Sequence, residues 1–94
     1  MALEIVWTQE AKAALAEIIT SLEEYQDDRL LRRFSQQLDK KLVLVKQHPQ
    51  MYQKSDRLEG ARRCVIDTYY SFLYSHDSIF IYILTLYDNR RRPK

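Results

Sequence analysis

The 94-residue sequence contains one glycine, two prolines and one cysteine, and it has no long apolar run. So little glycine and proline argues against a disordered or loop-rich chain. A lone cysteine cannot form an internal disulfide, so folding does not depend on an oxidising compartment. No segment has the pattern of a signal peptide or of a transmembrane helix. These absences predict one globular domain, residues 1–94, in the cytoplasm and without membrane contact.

The charge of the chain is small in total but uneven in its placement. Residues 1–47 hold seven Lys and Arg against eight Asp and Glu, whereas residues 48–94 hold eight against five. The excess of cations lies at Arg62–Arg63 and at Arg90–Lys94. Such an excess indicates an anionic partner, namely nucleic acid or an acidic peptide. A solubilising tail would give the same pattern.

The first half of the chain has the spacing of one short strand and two amphipathic helices. Leu3–Thr8 is a β-branched, apolar run that predicts a strand. Thr8 is a typical N-cap for a first helix, and Asp27 or Asp28 for a second, which Pro49 ends. The apolar positions recur every three or four residues, as on one face of a helix: Ala11, Leu15, Ile18, Leu22 and Tyr25, then Leu31, Phe34, Leu38, Leu42 and Val45. The two helices should pair as an antiparallel hairpin.

The second half has the composition of a small sheet. Residues 48–60 are predicted to form a loop, and "RRCVID", "YSFLYS" and "SIFIYILTLY" follow as three strands of an antiparallel meander. The last strand is apolar on both faces, which predicts a position inside the sheet. The predicted fold is α+β, with the order β-α-α-β-β-β and the helix hairpin packed on a small antiparallel sheet.

Several side chains of the strand region are candidates for binding. The planar guanidinium groups of arginine suit phosphate, although Arg62 and Arg63 should point to opposite faces of their strand. Tyr74 and Tyr87 could stack on bases if they lie on a free sheet face. Cys64 fits a small core position, and the two histidines are too far apart in sequence to suggest a metal site. No cofactor motif is present.

Four stretches together resemble the RelE/ParE superfamily of toxins from type II toxin–antitoxin modules, also called plasmid stabilisation proteins. They are "IVWTQEAKAALAEI", "HPQMYQKS", "ARRCVIDTYYSFLYS" and "ILTLYDNRRRP", in that order. The resemblance implies a toxin that arrests growth when free and that a cognate antitoxin neutralises in a hetero-oligomer. RelE-like members cut mRNA on the ribosome, whereas ParE-like members inhibit DNA gyrase. An inactive protein that only binds its partner is a third reading.

The resemblance also implies site residues. Arg62 or Arg63 matches the arginine at the start of the second strand of RelE-like nucleases, Arg90 matches the arginine after the last strand, and Lys54 is a looser match to their loop lysines. Tyr87 completes the candidate catalytic set, although it would have to reach the site from a different direction. Arg91, Arg92 and Tyr74 are candidates for binding the target on the evidence of the residues alone. Arginines at the strand ends are therefore expected to gather around one anion site, which the antitoxin would cover. The chain has no tyrosine or histidine after the last arginine, where RelE-like nucleases usually have one. This departure favours the ParE-like branch.

Overall fold

A computed structural model describes residues 3–91. Its elements follow the predicted order: β1 (Glu4–Trp7), α1 (Gln9–Glu23), α2 (Asp28–Gln47), β2 (Arg62–Val65), β3 (Tyr70–His76) and β4 (Phe80–Asp88). The α+β class and the element order are confirmed. Within residues 3–91, neither helix combines the length and the apolar character that a membrane crossing requires.

Both helices begin at the capping residues that the sequence predicts. The Thr8 side chain accepts a hydrogen bond from the Ala11 amide, and the Asp27 side chain accepts one from the Arg29 amide. The predicted apolar stripes supply the buried residues of the helices, which are Ala11, Ile18, Leu22, Phe34, Leu38 and Val45. Tyr25 differs from the prediction, because it lies beyond the end of α1 and is 68% exposed.

The four strands form one sheet in the order β1-β4-β3-β2. Strands β2, β3 and β4 make the predicted antiparallel meander, and β1 joins its far side parallel to β4. Strand β4 therefore lies inside the sheet, as its apolar sequence predicts. A parallel pair needs a long connection between its strands, and the helix hairpin together with β2 and β3 supplies it.

The core lies between the helices and one face of the sheet. Phe72, Ile81 and Ile83 are fully buried there, and the rings of Phe34 on α2 and Tyr70 on β3 make a T-shaped contact with 5.4 Å between their centroids. We call the opposite side of the sheet the outer face. A core this small depends on each of these contacts, because a domain of this size buries a modest share of its surface.

Strand β4 contains a bulge where it meets α1. Leu73 pairs with Thr85 while Tyr74 pairs with Ile83, so Leu84 is an extra residue in β4. The Thr8 hydroxyl lies 2.8 Å from the Ile83 carbonyl oxygen and 3.1 Å from that of Leu84. Thr8 therefore caps α1 and ties the start of that helix to the bulged strand.

Candidate functional site

Arg62 and Arg63 point to opposite faces of the sheet. Arg62 lies on the same side as the buried Cys64, and its Nη1 donates to the Tyr52 carbonyl oxygen at 2.7 Å. Arg63 is exposed and lies on the outer face. Arg62 thereby fastens the loop before β2 to the sheet edge, while Arg63 stays available to a partner.

Arg90 lies far from this pair, and the expectation of one arginine cluster at the strand ends is wrong. Arg62 pairs with Tyr74, whereas Asp88, two residues before Arg90, pairs with Tyr70. These two positions on β3 are about 13 Å apart along the strand. The reason is topological: β2 and β4 both run antiparallel to β3, so the start of β2 and the end of β4 lie at opposite ends of the sheet.

Arg90 is instead bound near the tip of the helix hairpin. Its Nη2 and Nε donate to the two carboxylate oxygens of Asp88 at 2.7 and 2.9 Å, and its Cζ lies 4.7 Å from the ring centroid of Tyr69. Arg90 also lines a groove of about 240 Å³ with residues of both helix ends, Leu22, Tyr25 and Leu30 among them. Asp88 neutralises much of its charge, so this groove is not a strongly cationic site.

Tyr74 is in the core, and the prediction that it stands on a free sheet face is wrong. Its side chain is fully buried, and its hydroxyl donates to the Pro49 carbonyl oxygen at 2.7 Å. Burial raises the pKa of this phenol to about 12. Strand β3 is buried on both faces from Tyr70 to Tyr74, so Tyr74 cannot stack on a base.

Tyr87 lies on the outer face, between two arginines. The Arg57 Cζ is 3.7 Å from the centroid of its ring, and the Arg63 Cζ is 6.0 Å away. Both distances are within the range of cation–π attraction. We call these three residues the Arg57–Tyr87–Arg63 cluster. The sequence reading named Tyr87 and Arg63 but missed Arg57.

Arg57 is held in place from three directions. Its backbone amide donates to the Ser55 hydroxyl at 3.0 Å, and its Nη2 donates to the Arg91 carbonyl oxygen at 3.1 Å, while its guanidinium stacks on Tyr87. The loop before β2 thus reaches across the outer face to the end of β4. No local signal marks Arg57 in the sequence, because its partner Tyr87 lies on another element 30 positions away.

Lys54 lies at the edge of the sheet beside β2. It forms an isolated antiparallel bridge with Arg62. Two backbone hydrogen bonds flank this bridge: the Ser55 amide donates to the Ala61 carbonyl oxygen, and the Arg63 amide donates to the Gln53 carbonyl oxygen. Lys54 and Arg62 are thus directly opposite in a pair whose side chains share one face. Lys54 and Arg63 also line a shallow groove of about 470 Å³ around this edge. The structure therefore brings Lys54 near both arginines of β2.

The remaining predicted residues lie toward the C-terminus. Arg91 is exposed, and its carbonyl oxygen is the one that Arg57 contacts. Arg92 lies outside the described residues. Within residues 3–91, no three His, Cys, Asp or Glu side chains are grouped so that they could hold a metal ion.

This arrangement is suited to holding an anion. Guanidinium groups stay charged and offer several N–H donors, so Arg57 and Arg63 can bind phosphate or carboxylate oxygens. General acid–base catalysis needs, in addition, a group that exchanges a proton near neutral pH within reach of the substrate. The Arg57–Tyr87–Arg63 cluster consists of two guanidinium groups and a phenol, and it includes no histidine or carboxylate, the side chains that most often act as general acids and bases.

The fold has a clear counterpart among solved structures. The chain is similar to one described as "Chromosomal ParDE TA system from P. aeruginosa", with a TM-score of 0.74 and 18% sequence identity. The match covers 93% of this chain and 96% of that one. At this identity the likeness establishes the fold. No curated protein sequence matches the chain significantly.

The sequence itself carries the family assignment. A family model described as the ParE toxin of the type II toxin–antitoxin system parDE matches residues 5–93. The match begins at the second residue of β1, runs past the end of β4 and includes the loop that carries Arg57. The chain therefore belongs to the ParE family of toxins from type II toxin–antitoxin systems.

Proposed function

We propose that this toxin arrests growth by binding DNA gyrase without catalysing a reaction, and that a cognate antitoxin neutralises it. One observation carries the proposal: the arginines that a nuclease site would combine are separated. Arg62 is bonded to the Tyr52 carbonyl on the core side of β2, Arg63 is on the outer face, and Arg90 is paired with Asp88 at the other end of the sheet. The ParE-like branch is the one that does not need them together. Gyrase acts on chromosomal DNA, so the toxin would work in the cytoplasm.

Cleavage of mRNA is the second candidate, and one observation favours it. Lys54 and Arg63 share the groove along the β2 edge, and Arg63 also faces Tyr87. A lysine and an arginine beside one phosphate at this edge could stabilise the charge that builds on its oxygens. This set includes no histidine or carboxylate, the side chains that most often take the proton of a hydroxyl nucleophile. Binding of a target without cleavage therefore fits the geometry better.

A growth assay followed by two separate readouts tests the proposal. Induction of the toxin without an antitoxin should arrest growth, and purified toxin at micromolar concentration should inhibit supercoiling by gyrase. Primer extension on mRNA from the same cells should show no new cuts. Unaffected supercoiling together with new mRNA cuts would replace the proposal by the nuclease alternative.

The antitoxin should carry an acidic, amphipathic segment. The ParDE description of the similar structure supports an antitoxin as partner. On this chain, Arg57 and Arg63 give the outer face a positive charge that such a segment would complement. Co-expression with a short reading frame that lies next to the toxin gene should restore growth and yield a co-purifying complex. Failure of every neighbouring frame to do either would count against a two-gene module.

A further inference from the structure

The outer face presents two guanidinium groups that have no acidic partner. Among residues 3–91, the ion pairs are Arg29 with Asp27 and Arg90 with Asp88, so neither Arg57 nor Arg63 is neutralised in one. Exposed cations on long side chains are usually mobile, which weakens their contacts. Arg57 is an exception because Ser55, Tyr87 and the Arg91 carbonyl hold it. An anion that binds here would meet a charge that is already in position.

The geometry of the cluster favours phosphate over a stacked base. Arg57 covers one face of the Tyr87 ring at 3.7 Å, so that face is closed to a nucleobase. A guanidinium has five N–H donors, and Arg57 gives one of them to the Arg91 carbonyl oxygen. Donors remain for the oxygens of a phosphodiester, which forked guanidinium groups bind well. Contacts of this kind read the backbone and carry no sequence information.

Further cations follow the cluster in the chain. Tyr87 precedes a terminal segment that contains Arg91, Arg92 and Lys94 in addition to the paired Arg90. Arg91 is exposed and its backbone is bonded to Arg57, so this segment starts beside the cluster. The binding of a folded protein is usually dominated by an aromatic or aliphatic anchor in a pocket, but Arg57 already occupies the ring that could form one. A polyanion therefore fits this surface better than the surface of a folded protein does.

We propose that the Arg57–Tyr87–Arg63 cluster binds the phosphodiester backbone of duplex DNA without sequence preference. This inference rests on the proposed function, because the DNA concerned is the duplex that gyrase holds while the toxin is bound. The toxin would then contact both the enzyme and its DNA. Binding by the toxin alone should be weak and should fall steeply as salt is raised, because phosphate contacts release counterions.

Fluorescence anisotropy with purified toxin and a labelled DNA duplex of mixed sequence tests the inference. The double variant Arg57→Gln, Arg63→Gln should weaken DNA binding by roughly tenfold and reduce the slope of log K against log salt by about 2. The matched control is Arg32→Gln, Arg33→Gln, which removes the same charge from the exposed face of α2. Arg57→Lys, Arg63→Lys keeps the charge without the fork and should be intermediate. Thermal melts identify any variant that fails to fold.

Each result either supports or overturns the inference. Equal loss in the cluster and control variants would mean unspecific attraction, and the absence of any DNA binding would overturn the site outright. Tighter binding of duplex RNA than of duplex DNA would assign the surface to another nucleic acid. The supercoiling assay separates this inference from the proposed function. If DNA binding depends on the cluster but the toxin does not inhibit gyrase, the DNA site is supported and the proposed function is wrong. If the toxin inhibits gyrase but binds no DNA, the proposed function is supported and the DNA site is wrong.

Discussion

Arg90 binds both carboxylate oxygens of Asp88, the residue two positions before it, at 2.7 and 2.9 Å. This contact fixes the direction in which the chain leaves β4 and turns the Arg90 guanidinium over the ring of Tyr69. It also lowers the pKa of Asp88, chiefly through the hydrogen bond from Arg90. The last residue of β4 is therefore more stable as a carboxylate in the folded chain than in the unfolded one.

Acid should destabilise the toxin through a small set of aspartates. The pKa of Asp88 is lowered by Arg90, and that of Asp77 by the backbone amides of Phe80 and Ile79. A group with a lowered folded pKa adds stability above its unfolded pKa, about 3.9 for aspartate, and that stability is lost as pH falls through the folded value. The urea midpoint should therefore be nearly level from pH 7 to about 5 and fall below about pH 4. A midpoint that rises on acidification would contradict this assignment.

Thr8→Ala should destabilise the fold by about 1–2 kcal/mol, the usual cost of losing an N-cap. The substitution removes the acceptor for the Ala11 amide and the hydroxyl beside the Ile83 and Leu84 carbonyls. Urea denaturation followed by circular dichroism measures the change. Thr8→Ser is the control, since it keeps the hydroxyl, and it should stay close to the parent. Equal loss in both variants would show that the methyl group, and not the hydroxyl, stabilises this junction.

The periodicity of the sequence was sufficient to predict the helices and strands, but not to predict which side chains are buried and what surrounds them. The apolar stripes of α1 and α2 and the turn residues between strands gave the order and the caps, because these depend on local chemistry. Tyr74 was misplaced because β3 is buried on both faces, and such a strand lacks the alternation that separates an inner side from an outer one. The bulge at Leu84 is equally invisible, because only the pairing partner defines it.

Only those features of the candidate site that depend on one element, and not on contacts between elements, could be predicted from the sequence. The opposite directions of Arg62 and Arg63 follow from the pleat of a strand and were predicted. The distance between Arg62 and Arg90 depends on the directions of three strands, and the stacking of Arg57 on Tyr87 depends on the path of a loop. These relationships arise from long-range packing, which a single sequence does not show.

Arg57 and Arg63 should act on DNA as a coupled pair, whereas Arg63 and Arg90 should act independently. The first two share the Tyr87 ring, and contacting residues commonly couple by 0.5 kcal/mol or more. Arg90 is tied to Asp88 at the other end of β3, and distant sites usually add within about 0.5 kcal/mol. Double-mutant cycles measure both coupling energies, that of Arg57 with Arg63 and that of Arg63 with Arg90, from the DNA dissociation constants of the single and double glutamine variants. Strong coupling of Arg63 with Arg90 would contradict the placement of these two arginines at opposite ends of the sheet.

Cys64 should be inert in the folded toxin. Its side chain is fully buried, and desolvation raises the pKa of its thiol to about 11, while the reactive species is the thiolate. Reaction with a colorimetric thiol reagent at pH 8 should be slow in buffer, and one equivalent should react at once in denaturant. Fast reaction in buffer would mean that β2 opens readily at the sheet edge. Cys64→Ala is the control, since it should remove the signal under both conditions and so assign the reacting thiol to Cys64.

Tyr74→Phe should destabilise the fold by about 1 kcal/mol, because it leaves the Pro49 carbonyl without the donor that now lies 2.7 Å away. Tyr74→Ala should cost about 3–5 kcal/mol, since it also opens a cavity in the core. Urea midpoints at constant m-value give both numbers. Tyr69→Phe is a suitable control, because the Tyr69 side chain is half exposed and the change should be close to neutral. If Tyr74→Phe proved as harmless as Tyr69→Phe, the link between the Pro49 turn and β3 would contribute nothing to stability.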